Sequence, residues 1–173
     1  MKIVISGSAS CGKTSVINEL RKLGYNVLGD VARPILEQRK YHLPLRVEKE
    51  YRQKKVIETH IKNEESIKYL KEPVFLDYGL VDARVYSKYL LDYYLPIPEK
   101  NLKSYDFVFL LDRLPWIDDG IRVENNESEA IEIHNNIEKE YKKLGYSPIK
   151  VPAIPVKKRV DFILNHLKQN GII

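Results

Sequence analysis

The sequence predicts an α/β domain of three layers, in which a five-stranded, mostly parallel β-sheet carries helices on both faces. Short apolar runs of strand length alternate along the chain with longer segments whose apolar residues recur at helical spacing. Strands that alternate with helices build parallel sheets, because each crossover lays a helix across one face. A length of 173 residues suffices for one such domain, and we expect residues 1–173 to form it.

The predicted strands are short segments in which apolar residues predominate. The five strands are residues 2–6, 25–28, 74–76, 107–111 and 149–151. The predicted helices are residues 13–23, a segment that opens near Asp30, and residues 46–70, 80–95, 129–144 and 156–168. Pro34 suits the first turn of the second helix, and Pro73 ends the third. Residues 112–128 are polar and irregular, so we expect a loop there.

A glycine-rich segment joins the first strand to the first helix and fits the phosphate-binding pattern G-x-x-x-x-G-K-[ST]. The apolar run Ile3-Val4-Ile5 precedes it, and Val16, Ile17 and Leu20 follow at helical spacing. In such a loop the backbone N–H groups and the positive end of the helix dipole converge, which suits a triphosphate. The alternative is an ordinary glycine-rich turn. The candidate nucleotide-binding residues are Gly7, Ser8, Ala9, Ser10, Cys11, Gly12, Lys13, Thr14 and Ser15.

Individual residues of this loop carry chemistry of their own. The Lys13 ammonium would contact the β and γ phosphates, and the Thr14 hydroxyl would hold Mg²⁺. The loop is atypical because it lacks an additional glycine at Ser10. The Cys11 thiol would either face the nucleotide or fill a tight turn.

Charged residues stand at the predicted carboxyl ends of the strands, which is the edge where parallel sheets bind ligands. They are Asp30, Asp77, Asp112 and Arg113. We expect them to lie in one site together with residues 7–14, which we call the phosphate loop.

The net charge of +5 and the pI of about 9.1 suit a partner that carries phosphates. Lysine and arginine are interleaved with glutamate, as in residues 46–50, which is typical of solvated helix faces, so nucleic acid is not the expected partner. No signal peptide is visible, and no apolar stretch approaches the roughly 20 residues of a membrane span. Together with the single cysteine, these features predict a cytoplasmic protein. The oligomeric state stays open.

The chain resembles the P-loop ATPase family that contains the ribosylnicotinamide kinase domain of the bacterial nicotinamide regulator. The likeness rests on the phosphate loop, on Asp30-Val31-Ala32-Arg33, on Val74-Phe75-Leu76-Asp77-Tyr78-Gly79 and on Asp119-Gly120-Ile121-Arg122, and it extends over nearly the whole chain. More distantly the chain is similar to thymidylate and deoxynucleoside kinases. The resemblance implies a three-layer P-loop NTPase fold with a kinase-like strand order, and phosphoryl transfer as the reaction.

The resemblance also implies roles for the acidic residues at the strand ends. Asp77 would lie beside the phosphate loop and hold Mg²⁺ directly or through water, or it would cap the next helix. Asp30 stands where related kinases carry an acidic residue that takes a proton from an acceptor hydroxyl. The alternative for Asp30 is the N-cap of the following helix, and the two roles are compatible.

Two further basic residues are substrate-binding candidates. Arg33 lies one helical turn after Asp30, within reach of that carboxylate or of an anionic substrate. Thymidylate-type kinases carry Asp-Arg where this chain has Asp77-Tyr78, so Arg84 is our substitute for the missing arginine.

The irregular loop at 112–128 resembles the lid of these kinases. A lid arginine would stabilise charge on the transferred phosphoryl group, because guanidinium is planar, permanently charged and able to bind in a bidentate manner. Arg122 is the first candidate and Arg113 the second, the alternative being a surface ion pair with a neighbouring aspartate. Trp116 would anchor the loop or stack on a ring.

The favoured interpretation is an ATP- and Mg²⁺-dependent kinase that phosphorylates a nucleoside-like or other small acceptor. ATP follows from the resemblance, and GTP remains open. The first alternative is a nucleotide-binding switch or slow NTPase that regulates a partner. A kinase needs an acceptor pocket, which the helical segments 46–70 and 86–94 could wall, whereas a switch would leave that surface flat. Nucleic-acid processing has only the basic pI in its favour.

Overall fold

The structure, a computed structural model, describes residues 1–37, 45–118, 120 and 123–173. Its strands are β1 (Lys2–Ser6), β2 (Asn26–Leu28), β3 (Val74–Asp77), β4 (Phe107–Leu111) and β5 (Ile149–Val151). They form one sheet in the order β2-β3-β1-β4-β5, and every neighbouring pair runs parallel. The predicted α/β fold with a parallel five-stranded sheet is therefore confirmed.

The helices of the described residues are α1 (Lys13–Lys22), α2 (Ala32–Glu37), α3 (Leu45–Ser66), α4 (Leu80–Leu91), α5 (Glu99–Leu102), α6 (Glu127–Lys143) and α7 (Val156–Gln169). The short α5 is not predicted by the sequence pattern. Helix α4 ends at Leu91 rather than at residue 95, because Asp92 adopts a left-handed conformation with φ of 66°. Helix α6 begins at Glu127 rather than at residue 129, because the Asn126 side chain caps it by accepting a hydrogen bond from the Glu129 N–H.

The hydrophobic core lies on both faces of the sheet, since successive side chains of a strand point to opposite sides. On one face Val4, Leu76 and Leu110 pack with apolar residues of α2, α3, α4 and α6. On the other face Ile5 and Phe75 pack with apolar residues of α1 and α7. Helices on both faces give the three layers expected of alternating strands and helices.

The parallel register brings the carboxyl ends of the central strands together. Ile5 of β1 pairs with Asp77 of β3 on one side and with Phe109 of β4 on the other. Leu28 of β2 pairs with Leu76 of β3. The loops after β1, β2, β3 and β4 therefore leave from the same edge of the sheet, which positions the site described next.

One predicted site residue, Arg122, lies outside the described residues, as do residues 119 and 121 of the same loop at 112–128. In the described part of the chain, no helix combines the length and the apolar character that crossing a membrane requires.

Candidate active site

The phosphate loop lies between the end of β1 and the first turn of α1. Three of its residues have positive φ: Gly7 at 138°, Ser10 at 61° and Gly12 at 80°. A Cβ at Gly7 would lie 3.0 Å from Cys11 Sγ, so the close packing of the loop requires glycine there. Ser10 adopts the left-handed conformation that the missing extra glycine would adopt with less strain. The turn directs the N-terminus of α1 into the loop, as an anion site needs.

The side chain of Lys13 folds back across the loop. Its Nζ donates hydrogen bonds to the carbonyl oxygens of Gly7 at 2.7 Å and of Ser8 at 2.8 Å. The ammonium is thereby held beside the loop, where it can meet the charge of a bound phosphate.

Thr14 and Asp77 meet at the junction of α1 and β3. The Thr14 hydroxyl donates to Asp77 Oδ2 at 2.8 Å, and Asp77 is only 2% exposed. Burial raises the pKa of Asp77 to about 6, although Lys13 and the Thr14 hydroxyl act in the opposite direction. Among the described residues no group of three or more His, Cys, Asp or Glu side chains could hold a metal. The two adjacent oxygens fit Mg²⁺, which takes its remaining ligands from water and substrate phosphates.

Asp30 fulfils the capping role and also faces the site. Its Oδ1 accepts hydrogen bonds from the backbone N–H groups of Ala32 at 2.8 Å and of Arg33 at 3.3 Å, which fixes the start of α2. Arg33 forms an ion pair with Glu37, its Nη1 lying 3.8 Å from Oε1. Both Asp30 and Arg33 line the cavity described below.

Arg113 lies against the phosphate loop rather than in solvent. Its Nη1 donates to Ser8 Oγ at 2.7 Å and to the Ala9 carbonyl oxygen at 3.1 Å, while Nη2 pairs with Glu127 at 2.7 Å. The Ile117 N–H donates to Ser10 Oγ at 3.1 Å. The first half of the lid-like loop is therefore attached to the phosphate loop.

Cys11 is a completely buried packing residue of the loop. Its Sγ lies 3.7 Å from His134 Nδ1 and 3.8 Å from Ser8 Oγ. Burial raises the pKa of the Cys11 thiol, and burial with nearby Arg113 lowers the pKa of His134 to about 4. Both groups are consequently neutral near pH 7, which agrees with a thiol that fills a tight turn.

Arg84 requires a correction, because the structure places it away from the site. Its Nε donates to Glu140 Oε1 at 2.9 Å, and its guanidinium stacks on Tyr94, 4.3 Å from the ring centroid. Ala83 and Tyr86 of the same helix line the cavity, so the helical phase turns Arg84 toward α6 instead. Arg84 therefore does not replace the arginine that related kinases carry after the Asp77 position.

A cavity of about 390 Å³ connects the phosphate loop with side chains of α2, α3 and α4. Beyond the loop, its lining includes Asp30, Ala32, Arg33, Leu36, Gln53, Val56, Asp77, Tyr78, Ala83, Tyr86, Leu90, Val123 and Glu124. The helical segments 46–70 and 86–94 do contribute walls, as the sequence suggests. Gln53 and Glu124 are not predicted, because no local motif surrounds either residue.

The carboxylate of Glu124 reaches the phosphate loop itself. Its Oε1 accepts hydrogen bonds from the Ala9 N–H at 3.3 Å and from the Tyr86 hydroxyl at 2.6 Å. Glu124 is only 4% exposed. The loop therefore already holds an anionic oxygen on one of its backbone donors.

A second buried carboxylate, Asp82, forms hydrogen bonds with the start of the phosphate loop. Its two oxygens accept hydrogen bonds from Ser6 Oγ at 2.6 Å, the Gly7 N–H at 3.4 Å, the Gly79 N–H at 3.1 Å and the Tyr141 hydroxyl at 2.6 Å. Asp82 is completely buried on α4, so it joins the end of β1 to α4 and α6. The sequence offers no signal for this role, since an acid in a first helical turn is ordinary.

Solved structures of kinases have the same fold. Deoxyadenosine kinase from M. mycoides, in a structure with the products dCMP and dCDP, is 20% identical with a TM-score of 0.63, and the match covers 98% of this chain and 100% of that one. The same enzyme with bound dATP is 21% identical with a TM-score of 0.60, covering 97% and 99%. Shikimate kinase from Aquifex aeolicus is 20% identical with a TM-score of 0.54, covering 99% of both chains.

Sequence comparison gives the family. A search of curated proteins finds no significant match. A family described as AAA domain matches residues 2–159, which is most of the chain. The narrower resemblance to the ribosylnicotinamide kinase domain stays a prediction. The chain belongs to the AAA domain family and has the P-loop kinase fold.

Proposed function

We propose that this protein is an ATP- and Mg²⁺-dependent kinase that transfers the γ-phosphoryl group of ATP to a hydroxyl of a small, nucleoside-like acceptor. The observation that carries the proposal is the continuous cavity between the phosphate loop and the side chains of α2, α3 and α4. A kinase must bind the nucleotide and the acceptor side by side, whereas a protein that only senses a nucleotide needs no binding site for an acceptor. The deoxyadenosine kinase structures support a nucleoside-like acceptor by analogy of fold.

In the nucleotide half of the cavity, the loop N–H groups and the α1 dipole bind the phosphates, and Lys13 neutralises their charge. Thr14 and Asp77 would hold Mg²⁺, which would offset the charge that develops on the phosphates. The Thr14 to Asp77 hydrogen bond of 2.8 Å keeps the two ligand oxygens adjacent.

In the acceptor half, Asp30 orients the acceptor hydroxyl and takes its proton as the phosphoryl group arrives. The N-cap bonds to Oδ1 fix this carboxylate at the start of α2. Gln53 and Tyr86 offer hydrogen-bonding groups to the acceptor, and Leu36, Val56 and Leu90 offer apolar surface.

An arginine stabilises the transferred group. The hydrogen bonds from Arg113 to Ser8 and Ala9 of the loop support Arg113 in this role. The role of Arg122 remains a prediction. If Arg122 is the lid arginine, an Arg122→Lys variant should lower kcat more than it raises KM for ATP.

The test is a screen of nucleosides, vitamins and nucleoside monophosphates with ATP and Mg²⁺, read as ADP release with and without the acceptor. We expect at least one acceptor to stimulate release. With that acceptor, Asp30→Asn should lower turnover by about 10²-fold or more while ATP affinity stays nearly unchanged. Asp161→Asn, on the exposed side of α7, is the matched control. A silent screen together with unaltered behaviour of Asp30→Asn would refute the kinase proposal and leave a nucleotide-binding protein.

A further inference from the structure

Glu124 places a carboxylate on the phosphate loop. Among the residues that the structure describes, no lysine or arginine forms an ion pair with Glu124. Within the described residues, the Tyr86 hydroxyl and the Ala9 N–H donate hydrogen bonds to Glu124. Burial raises the pKa of Tyr86, and the charge of Glu124 adds to this effect, so the phenol remains a donor.

The contact with Ala9 resembles the contact that the loop would make with a phosphate oxygen. A phosphate oxygen and a carboxylate oxygen are both anionic acceptors for backbone N–H groups. Glu124 and Ala9 both line the cavity that the triphosphate would enter. Two anions held at the same backbone N–H group repel each other.

We propose that Glu124 is an internal ligand that occupies the phosphate loop of the nucleotide-free protein and that the terminal phosphate of ATP displaces it. The inference rests on the nucleotide-binding part of the proposed function. Glu124 then opposes ATP binding by its charge, and Tyr86 strengthens this opposition by holding the carboxylate in place. AMP, which lacks the terminal phosphates, should be affected much less.

The test measures the affinities for ATP and AMP by isothermal titration calorimetry in the presence of Mg²⁺. Glu124→Gln keeps the size of the side chain and an acceptor oxygen but removes the charge. We expect it to bind ATP about fivefold or more tightly than wild type, with AMP affinity changed by less than about twofold. Glu132→Gln, exposed on α6, removes the same charge elsewhere and should change ATP affinity by less than about twofold.

A second variant, Tyr86→Phe, keeps the charge of Glu124 but removes a donor that holds it. We expect Tyr86→Phe to tighten ATP binding in the same direction and by a smaller factor. Unchanged or weaker ATP binding by Glu124→Gln would overturn the proposal, as would weaker binding by Tyr86→Phe if Glu124→Gln does not fold.

Lys13→Ala separates this inference from the proposed function. If Lys13→Ala weakens ATP binding but Glu124→Gln leaves it unchanged, only the internal-ligand proposal fails. Both proposals fail if ATP binds to wild type and to Lys13→Ala with the same affinity. Both also fail if ATP binds neither to the wild-type protein nor to any of the variants. Tighter ATP binding by Glu124→Gln with a silent acceptor screen would uphold the inference and refute the kinase.

Discussion

Lys13 is the residue on which nucleotide binding should depend most. Its ammonium is held at the loop by the carbonyl oxygens of Gly7 and Ser8, so little ordering is needed when a phosphate arrives. Lys13→Ala should weaken ATP binding by about 10²-fold or more, the scale of a lost charge-assisted contact. Calorimetric titration checks this, with Lys22→Ala at the exposed end of α1 as control. A folded Lys13→Ala protein with normal ATP affinity would contradict the assignment.

Asp77 should act through the metal. Asp77→Asn keeps the shape and can still accept the bond from Thr14, but it removes the negative charge that a divalent cation needs. We expect the Mg²⁺ concentration for half-maximal activity to rise about tenfold or more, on the scale of a lost ligand charge. A Mg²⁺ titration of ATP turnover measures it. An unaltered titration would show that Asp77 has only a structural role.

Elements of secondary structure were predictable where the signal is local. Strands β1, β3 and β4 contain continuous apolar runs. Lys13, Thr14 and Asp77 are found from a motif or from their place at a strand end. The early end of α4 depends on the conformation of Asp92, and the contacts of Asp82 and Glu124 join residues far apart in sequence. No spacing rule reveals such long-range pairs. The error at Arg84 has the same origin, since only the packed structure shows which face of α4 meets the cavity.

Asp82 connects three elements and should be a main determinant of their packing. Asp82→Ala would leave buried hydroxyl and N–H donors of Ser6, Tyr141 and Gly79 without an acceptor. We expect a loss on the order of 3–5 kcal/mol in the free energy of unfolding, measured by urea denaturation. Tyr141→Phe removes one donor only and should cost less. A loss below about 1 kcal/mol for Asp82→Ala would contradict this account.

The stability of the whole molecule should depend on pH through Asp77. Its pKa is raised from 3.8 to about 6 in the folded protein, so between these values the folded state binds more protons than the unfolded state. The stabilising contribution of the protonated form is present below pH 3.8 and is lost as the pH rises through about 6. Above that, burial of the charge costs up to roughly 3 kcal/mol.

Asp77→Asn carries no such charge and isolates this effect from the other titrating groups. We expect it to be more stable than wild type at about pH 8, with the difference disappearing toward about pH 4. Urea denaturation across this range measures the difference, and Asp161→Asn serves as the exposed control. A difference that does not change with pH would rule out a raised pKa at Asp77.

Buried side chains hold the phosphate loop at both of its ends. Asp82 binds Ser6 and Gly7 at the start, and Arg159, which is 1% exposed, donates to the Cys11 carbonyl oxygen near the end. Folding has therefore already ordered the backbone that the nucleotide meets, and binding should not be coupled to a folding step. The heat capacity change of ATP binding, measured by calorimetry at several temperatures, should be negative and smaller than about 0.3 kcal/mol/K in size. A much larger value would mean that the loop becomes ordered only with its ligand.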